Sequence, residues 1–364
     1  MKIIFFLNII YMKINNNDTK KLANKCSPGN GNNNGSCFSH NSLIKISNEW
    51  NKQNCSEYID ITLDIKEIYN KMVSVSKKDM ESLSNCVSSL REPRANMIDK
   101  NCKEKLLNLT INWNNNNCKN TINLSENSDT LWKSLDHRLK NKCNTEWCWS
   151  KLPFVVKLRD NNIENTFRPK MPKKWHNNPI EWLSTTDIEG VLYQYESKYP
   201  KFRFIGAVPI DFDDKDSVGK CLVSELCKTN IDTFVKKDIN KVGIVFNLDP
   251  SWKGGSHWVA MFIDLSVHNI YYWDSYGESP PKEVSNLAER LKKDGKKHNM
   301  NITFHVNSVR HQYKNTECGV YCIWFIVSLL QSNNSENKYF ELINNIIKDD
   351  KMQEFRDKFF IKYV

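Results

Sequence analysis

Cys318 stands in Glu317-Cys318-Gly319 at the head of the apolar run Val320 to Val327, and Gln312 lies six positions before it. His257 stands in Ser256-His257-Trp258, and Asp274 follows it by seventeen positions. These are the side-chain types of nucleophilic acyl transfer. A thiol in the first turn of a helix lies over unsatisfied backbone N–H groups and the positive end of the helix dipole, which favours thiolate. A free thiol titrates near ~8.5 and is only slightly ionised at neutral pH, so a neighbouring imidazole is needed to take its proton. A carboxylate on the far nitrogen of that ring would fix its tautomer. The Gln312 amide could donate to the oxyanion of a tetrahedral intermediate, and losing one such donor typically costs roughly 100- to 1000-fold in rate. Gly319 lets another backbone approach the nucleophile closely. Taken singly, each residue has an ordinary reading: an inert buried thiol (the expectation for Cys322), a structural histidine, a strand-end aspartate. Their joint occurrence at these spacings favours catalysis.

Two strands can bring His257 and Asp274 together. His257 to Leu265 and Ile270 to Asp274 both read as strands, with Leu265 to Asn269 as the turn between them. Antiparallel pairing then sets the start of the first beside the end of the second. The Cys318 helix is apolar nearly all round, so it is expected to cross a sheet centrally. Lys241 to Leu248 and Ile302 to Val309 are further strand candidates. Thr186 to Lys198, capped by Ser184 or Thr185, reads as an amphipathic helix ending before Pro200. Pro281 starts another through Leu291, and Glu336 to Lys348 and Lys351 to Phe359 read as helices. Strands with helices on both sides predict an α+β domain.

The order His-Trp, Asp-Ser, Gln, Glu-Cys-Gly resembles the SUMO-protease and adenovirus-protease superfamily of cysteine proteases. The resemblance covers about residues 175 to 330. It implies a papain-like or adenain-like core with Cys318 as nucleophile, His257 as general base, Asp274 orienting the ring and Gln312 in the oxyanion hole. Trp182-Leu183-Ser184-Thr185-Thr186-Asp187 is similar to the family's entry helix, with Ser-Thr-Thr where Asn-Asp is usual. The corresponding indoles, Trp182 and Trp258, would close over a substrate tail, and Gly319 would border it. A tunnel that narrow implies cleavage after Gly-Gly or Gly-X-Gly in protein substrates, with no metal or cofactor. Pro209-Ile210-Asp211-Phe212 after Phe204-Ile205-Gly206, the long N-terminal arm and the abundance of Asn resemble the processing proteases of large nucleocytoplasmic DNA viruses. That likeness implies cleavage of structural polyproteins during particle maturation, in the virion and host cytoplasm. Two alternatives stand beside it: an isopeptidase removing SUMO or another ubiquitin-like protein, and an inactive module that captures Gly-Gly tails.

The remainder of the chain bounds these readings. With 364 residues, two domains and a sizeable core are expected. Lys and Arg number 52 against 42 Asp and Glu, a formal charge of +10. No basic cluster is interleaved with aromatics, and abundant Lys, Asn and Ile suit an AT-rich coding sequence. Adenovirus-type relatives use DNA as a cofactor, so the resemblance leaves DNA open here. Of twelve cysteines, eight fall in the first 150 residues, with no Cys-x-x-Cys pair and no histidine at zinc-finger spacing. A disulfide framework requires an oxidising compartment, and a catalytic thiol argues for reduced cysteines. Ile3 to Tyr11 is apolar but short of the ~20 residues that span a bilayer, so no membrane anchor is expected, and Met12 is an alternative start. Residues 1–36 read as a flexible tail, 37–165 as a mainly helical arm and 166–364 as the catalytic domain. Within the arm, Ile61 to Met72, Lys78 to Leu90 and Ser128 to Leu139 read as helices, and Asn114 to Asn117 as a loop.

Overall fold

The computed structural model describes residues 26–30, 36–91 and 98–362. The apolar run at 3–11, the start at Met12 and most of the expected tail lie outside these residues. The chain forms two compact units, Met1–Phe167 and Arg168–Val364.

The first unit is helical. Its longer helices are α1 (His40–Asn54), α2 (Ile65–Val75), α3 (Lys100–Asn117) and α4 (Ser128–Leu139). Each begins on a side chain that accepts a backbone N–H: Ser39, Asp64, Asp99 and Asn127. The apolar period is clearest in α2, where Ile65, Ile68, Tyr69 and Met72 are buried against Leu83, Leu90 and Leu106. Two expectations fail here. Asn114 to Asn117 is the last turn of α3, because buried Asn114 pairs with the Ile59 backbone, accepting its N–H at 2.9 Å and donating to its carbonyl at 2.8 Å. Lys78 to Leu90 is broken into short turns, Lys77–Glu81 and Val87–Leu90. Ser82, Ser84 and Asn85 are weak helix formers, and Cys86 is drawn into a bond with Cys102.

The cysteines also differ from expectation. Ten of the twelve are paired, as Cys26–Cys37, Cys55–Cys118, Cys86–Cys102, Cys143–Cys148 and Cys221–Cys227. Only Cys318 and Cys322 are free. The partners meet through tertiary packing across separations of 5 to 63 residues, and no spacing motif advertises that.

The second unit is a five-stranded sheet covered on both faces. The strands β1 (Phe202–Pro209), β2 (Lys241–Asn247), β3 (Trp258–Asp264), β4 (Asn269–Trp273) and β5 (Thr303–Val306) lie in sequence order. The outer pairs β1–β2 and β4–β5 are parallel, and the central pairs are antiparallel. Side-chain alternation splits β3: Ala260 and Phe262 face α7 (Cys318–Gln331), while Val259, Met261 and Ile263 face α6 (Lys282–Lys297). Burial on both faces explains why β3 reads as one unbroken apolar run. Helix α5 (Thr185–Leu192) packs on β1 and α7, and α8 (Ser335–Asn344) and α9 (Asp349–Phe359) close the α7 side. Ser184 caps α5 through a capping box with Asp187. Strand β1 is absent from the sequence reading, its pairing interrupted by a bulge between Phe204 and Gly206. Strand β5 is shorter than expected because Asn307 turns away to donate to the Asp274 and Val309 carbonyls. The class is the expected one, α+β with a central mixed sheet.

Candidate active site

His257 immediately precedes β3, and Asp274 immediately follows β4. The β3–β4 ladder ends at Ala260–Trp273, and the turn that follows, closed by the Gly277 N–H on the Asp274 carbonyl at 2.9 Å, brings Asp274 and Tyr276 to His257. His257 Nε2 lies 2.7 Å from Asp274 Oδ1. The same carboxylate oxygen accepts the Tyr276 N–H at 2.8 Å, and the Tyr276 ring stacks on the imidazole at 4.5 Å between centroids. The ring is thus fixed in its plane by Asp274 and across its face by Tyr276.

Cys318 is the other group that bears on the imidazole, and its presence favours the charged ring. With Nε2 engaged by Asp274, Nδ1 is the nitrogen left for sulfur. Cys318, His257 and Asp274 are 2%, 8% and 1% exposed, so the three are shielded from bulk water. Burial by itself lowers the His257 pKa. The hydrogen bond to Asp274 and the contact with Cys318 outweigh it and raise the group to about 9. Cys318 opens α7, whose N-cap residue Glu317 provides no side-chain cap. The Glu317 carboxylate is instead taken by Arg356, so the first N–H groups of α7 are left for another acceptor.

Gln312 is held beside this row by the segment after Asp274. Its backbone N–H donates to the Ser275 carbonyl at 2.8 Å, and its Oε1 accepts from the Ser275 hydroxyl at 2.6 Å. Its Nε2 donates one hydrogen to the Lys314 carbonyl at 2.6 Å. A primary amide has a second hydrogen to give. Gly277 makes this docking feasible: it has φ of +76°, and a Cβ there would meet the Val309 carbonyl carbon at 2.9 Å.

Trp258 is buried and donates from Nε1 to the Leu183 carbonyl at 3.0 Å. Trp182 is 37% exposed. Both indoles line a cleft of about 510 Å³ with His257, Asn247, Gly254 and Gly255. Gly319 differs from expectation. What approaches it is the Leu183 side chain, whose Cβ would lie 2.9 Å from an added Cβ. Gly319 therefore seats the segment carrying Trp182 and is itself buried. Among the described residues no group of three or more His, Cys, Asp and Glu gathers as a metal site. Sequence reasoning missed Tyr276, which lies in the turn after β4, where no strand period runs. It also missed Leu183 and Asn307, for which no local pattern exists.

The chain has relatives among known proteins. Residues 216–363 match the family described as the Ulp1 protease family, C-terminal catalytic domain. A relative named as a thiol protease, from Acanthamoeba polyphaga mimivirus, is 33% identical over 245 residues, covering 66% of this chain and 76% of its own. A cysteine protease of African swine fever virus is 30% identical over 251 residues, covering 64% of this chain and 90% of its own. The crystal structure of an African swine fever virus protease superposes with a TM-score of 0.50 at 26% identity, over 65% of this chain and 91% of that one.

Proposed function

Because this chain belongs to the Ulp1 family of cysteine proteases, with viral thiol proteases as relatives, we propose that it hydrolyses peptide bonds after Gly-Gly or Gly-X-Gly sites. The observation that carries this is the buried imidazole, held by Asp274, its charged form favoured by Cys318, and opening onto a cleft lined by two indoles. Walls formed by Trp182 and Trp258 favour residues without side chains beside His257.

In the proposed reaction Cys318 Sγ attacks the scissile carbonyl and the thiol proton resides on His257. The oxyanion is met by the second Gln312 amide hydrogen and the uncapped N–H groups of α7. His257 protonates the leaving amine, giving an acyl-enzyme. Water attacks next, and the ring accepts its proton as the thioester breaks and Cys318 is released. Asp274 holds the ring through Nε2 so that Nδ1 faces sulfur throughout. The viral relatives support a place of action in the virion or infected cell, and the proposed substrates there are structural polyproteins. No helix of the described residues is long and apolar enough to cross a membrane.

The test compares a Gly-Gly-X peptide with folded SUMO and ubiquitin fusions, using Cys318→Ala as control. Comparable turnover of the short peptide supports polyprotein processing. A strict requirement for the folded body points to deconjugation instead. Binding of Gly-Gly tails with no turnover by the unsubstituted protein would leave only a capture module. A Cys318→Ala protein that still cleaves would remove the assignment of the nucleophile.

A further inference from the structure

Arg356 on α9 is a cation placed deep in the catalytic unit, 2% exposed. Each of its three guanidinium nitrogens donates. Nε donates to Glu317 Oε2 at 2.8 Å, Nη1 to the Glu181 carbonyl at 2.7 Å and Nη2 to the Thr316 carbonyl at 3.4 Å. The plane lies over the Trp175 indole, 4.5 Å from its centroid. Two of these partners immediately precede Cys318, and the third immediately precedes Trp182. A single planar group therefore joins the peptide leading into the nucleophile to the peptide leading into one wall of the cleft.

Such a fork has a fixed shape, whereas a lysine ammonium at the same place would be a point charge on a flexible stem. Glu317 adds a second constraint. Its carboxylate stands where a helix cap would, yet it turns to Arg356, which keeps the first turn of α7 uncapped. Burial pushes the Glu317 carboxyl up, and Arg356 only partly offsets this. The pair is thus held at a desolvation cost, which a purely stabilising contact would not require.

We infer that Arg356 is a positioning residue that sets the separation between the Cys318 sulfur and the Trp182 wall, and thereby the width of the glycine-selecting slot. The inference rests on the glycine-specific reading of the cleft. Misplacing a reacting group by about 1 Å can cost on the order of 100-fold in rate.

The experiment uses the full chain in three forms: unsubstituted, Arg356→Lys, and the double variant Glu317→Gln with Arg356→Met. The double variant removes both charges together, which avoids leaving one buried and unpaired. Each is assayed for kcat and KM on Gly-Gly-X and Ala-Gly-X peptides, for the rate of Cys318 alkylation by iodoacetamide, and for thermal melting. The expected result is a loss of kcat/KM on Gly-Gly-X of about 10- to 100-fold in both variants. The Gly-Gly over Ala-Gly preference narrows, while alkylation changes by less than about 3-fold, since a small reagent does not need the slot. A double variant that melts like the unsubstituted protein with full turnover and selectivity would overturn the inference, as would Arg356→Lys with unchanged kinetics. If the unsubstituted protein cleaves other peptides but rejects Gly-Gly-X, the substrate reading fails by itself. Arg356 is then scored by kcat/KM on the peptide that is cleaved, with the same two outcomes.

Discussion

His257 carries the pH dependence of the site at the scale of single residues. Burial opposes its charge, but Asp274 and Cys318 outweigh burial and raise its pKa to about 9, above the usual imidazole value of 6.5. Its stabilising contribution is therefore complete below pH 6.5 and lost as the pH rises through about 9. In the proposed reaction the same proton is delivered to the leaving amine, so kcat/KM is expected to fall on an alkaline limb near pH 9. Asp274→Asn removes the carboxylate, so that limb is expected to move toward neutrality. Turnover is expected to fall by on the order of 10,000-fold, the scale set by a misassigned tautomer. A pH–rate profile of both proteins checks the limb and the loss together. Gln312→Ala is expected to lower kcat about 100-fold or more with a smaller effect on KM. It also strips the Ser275 hydroxyl of its buried acceptor, at about 1–3 kcal/mol, so melting curves are needed beside the kinetics.

At the scale of elements, two features hold the site in register. The first is the seating of Leu183 on Gly319. Gly319→Ala would place a methyl against the Leu183 Cβ and push back the segment that carries Trp182. Overpacking of this kind costs about 1–3 kcal/mol, so the chain is expected to fold and lose activity on Gly-Gly substrates, as measured by kcat/KM against melting temperature. The second is the loop from Asn307 to Lys314. His311 there is buried, accepts the Ile347 N–H at Nδ1 (3.2 Å), and is lowered by burial to about 4. Its folded pKa lies below the unfolded one, so the unfolded chain binds a proton first. Stability from this group is present above pH 6.5 and is lost as the pH falls toward 4. His311→Phe is expected to reduce the acid sensitivity of unfolding between those values, and urea titrations across the range would show it.

At the scale of the whole molecule, the disulfides divide the two units chemically. Four lie in the first unit, and only Cys221–Cys227 lies in the catalytic one. A bridge typically contributes about 2–4 kcal/mol. Reduction with dithiothreitol is expected to lower a thermal transition belonging to the first unit by many degrees. Cleavage of a short peptide is expected to persist under the same conditions, because the β3–β4 pairing and α7 depend on no bridge. Calorimetry and a peptide assay on the same sample test both statements. Equal loss of both would show that the catalytic unit depends on the bridges of the other.

The candidate set His257, Asp274, Gln312 and Cys318 could be named from the chain, because acyl transfer needs few side-chain types and strand and helix periods are local. The α+β class followed from the same periods. The residues that hold these groups in place were not legible. Tyr276 against His257, Leu183 against Gly319 and Arg356 between Glu181 and Glu317 are separated by 19, 136, 175 and 39 residues. Nothing local marks such contacts, since a tertiary contact depends on where the whole sheet and its helices come to rest. The cysteine pairs show the same limit: composition counts thiols, but only packing brings two sulfurs within bonding distance. Sequence thus determined which groups could react, and tertiary structure decided which of them are held, at what spacing, and against which neighbours.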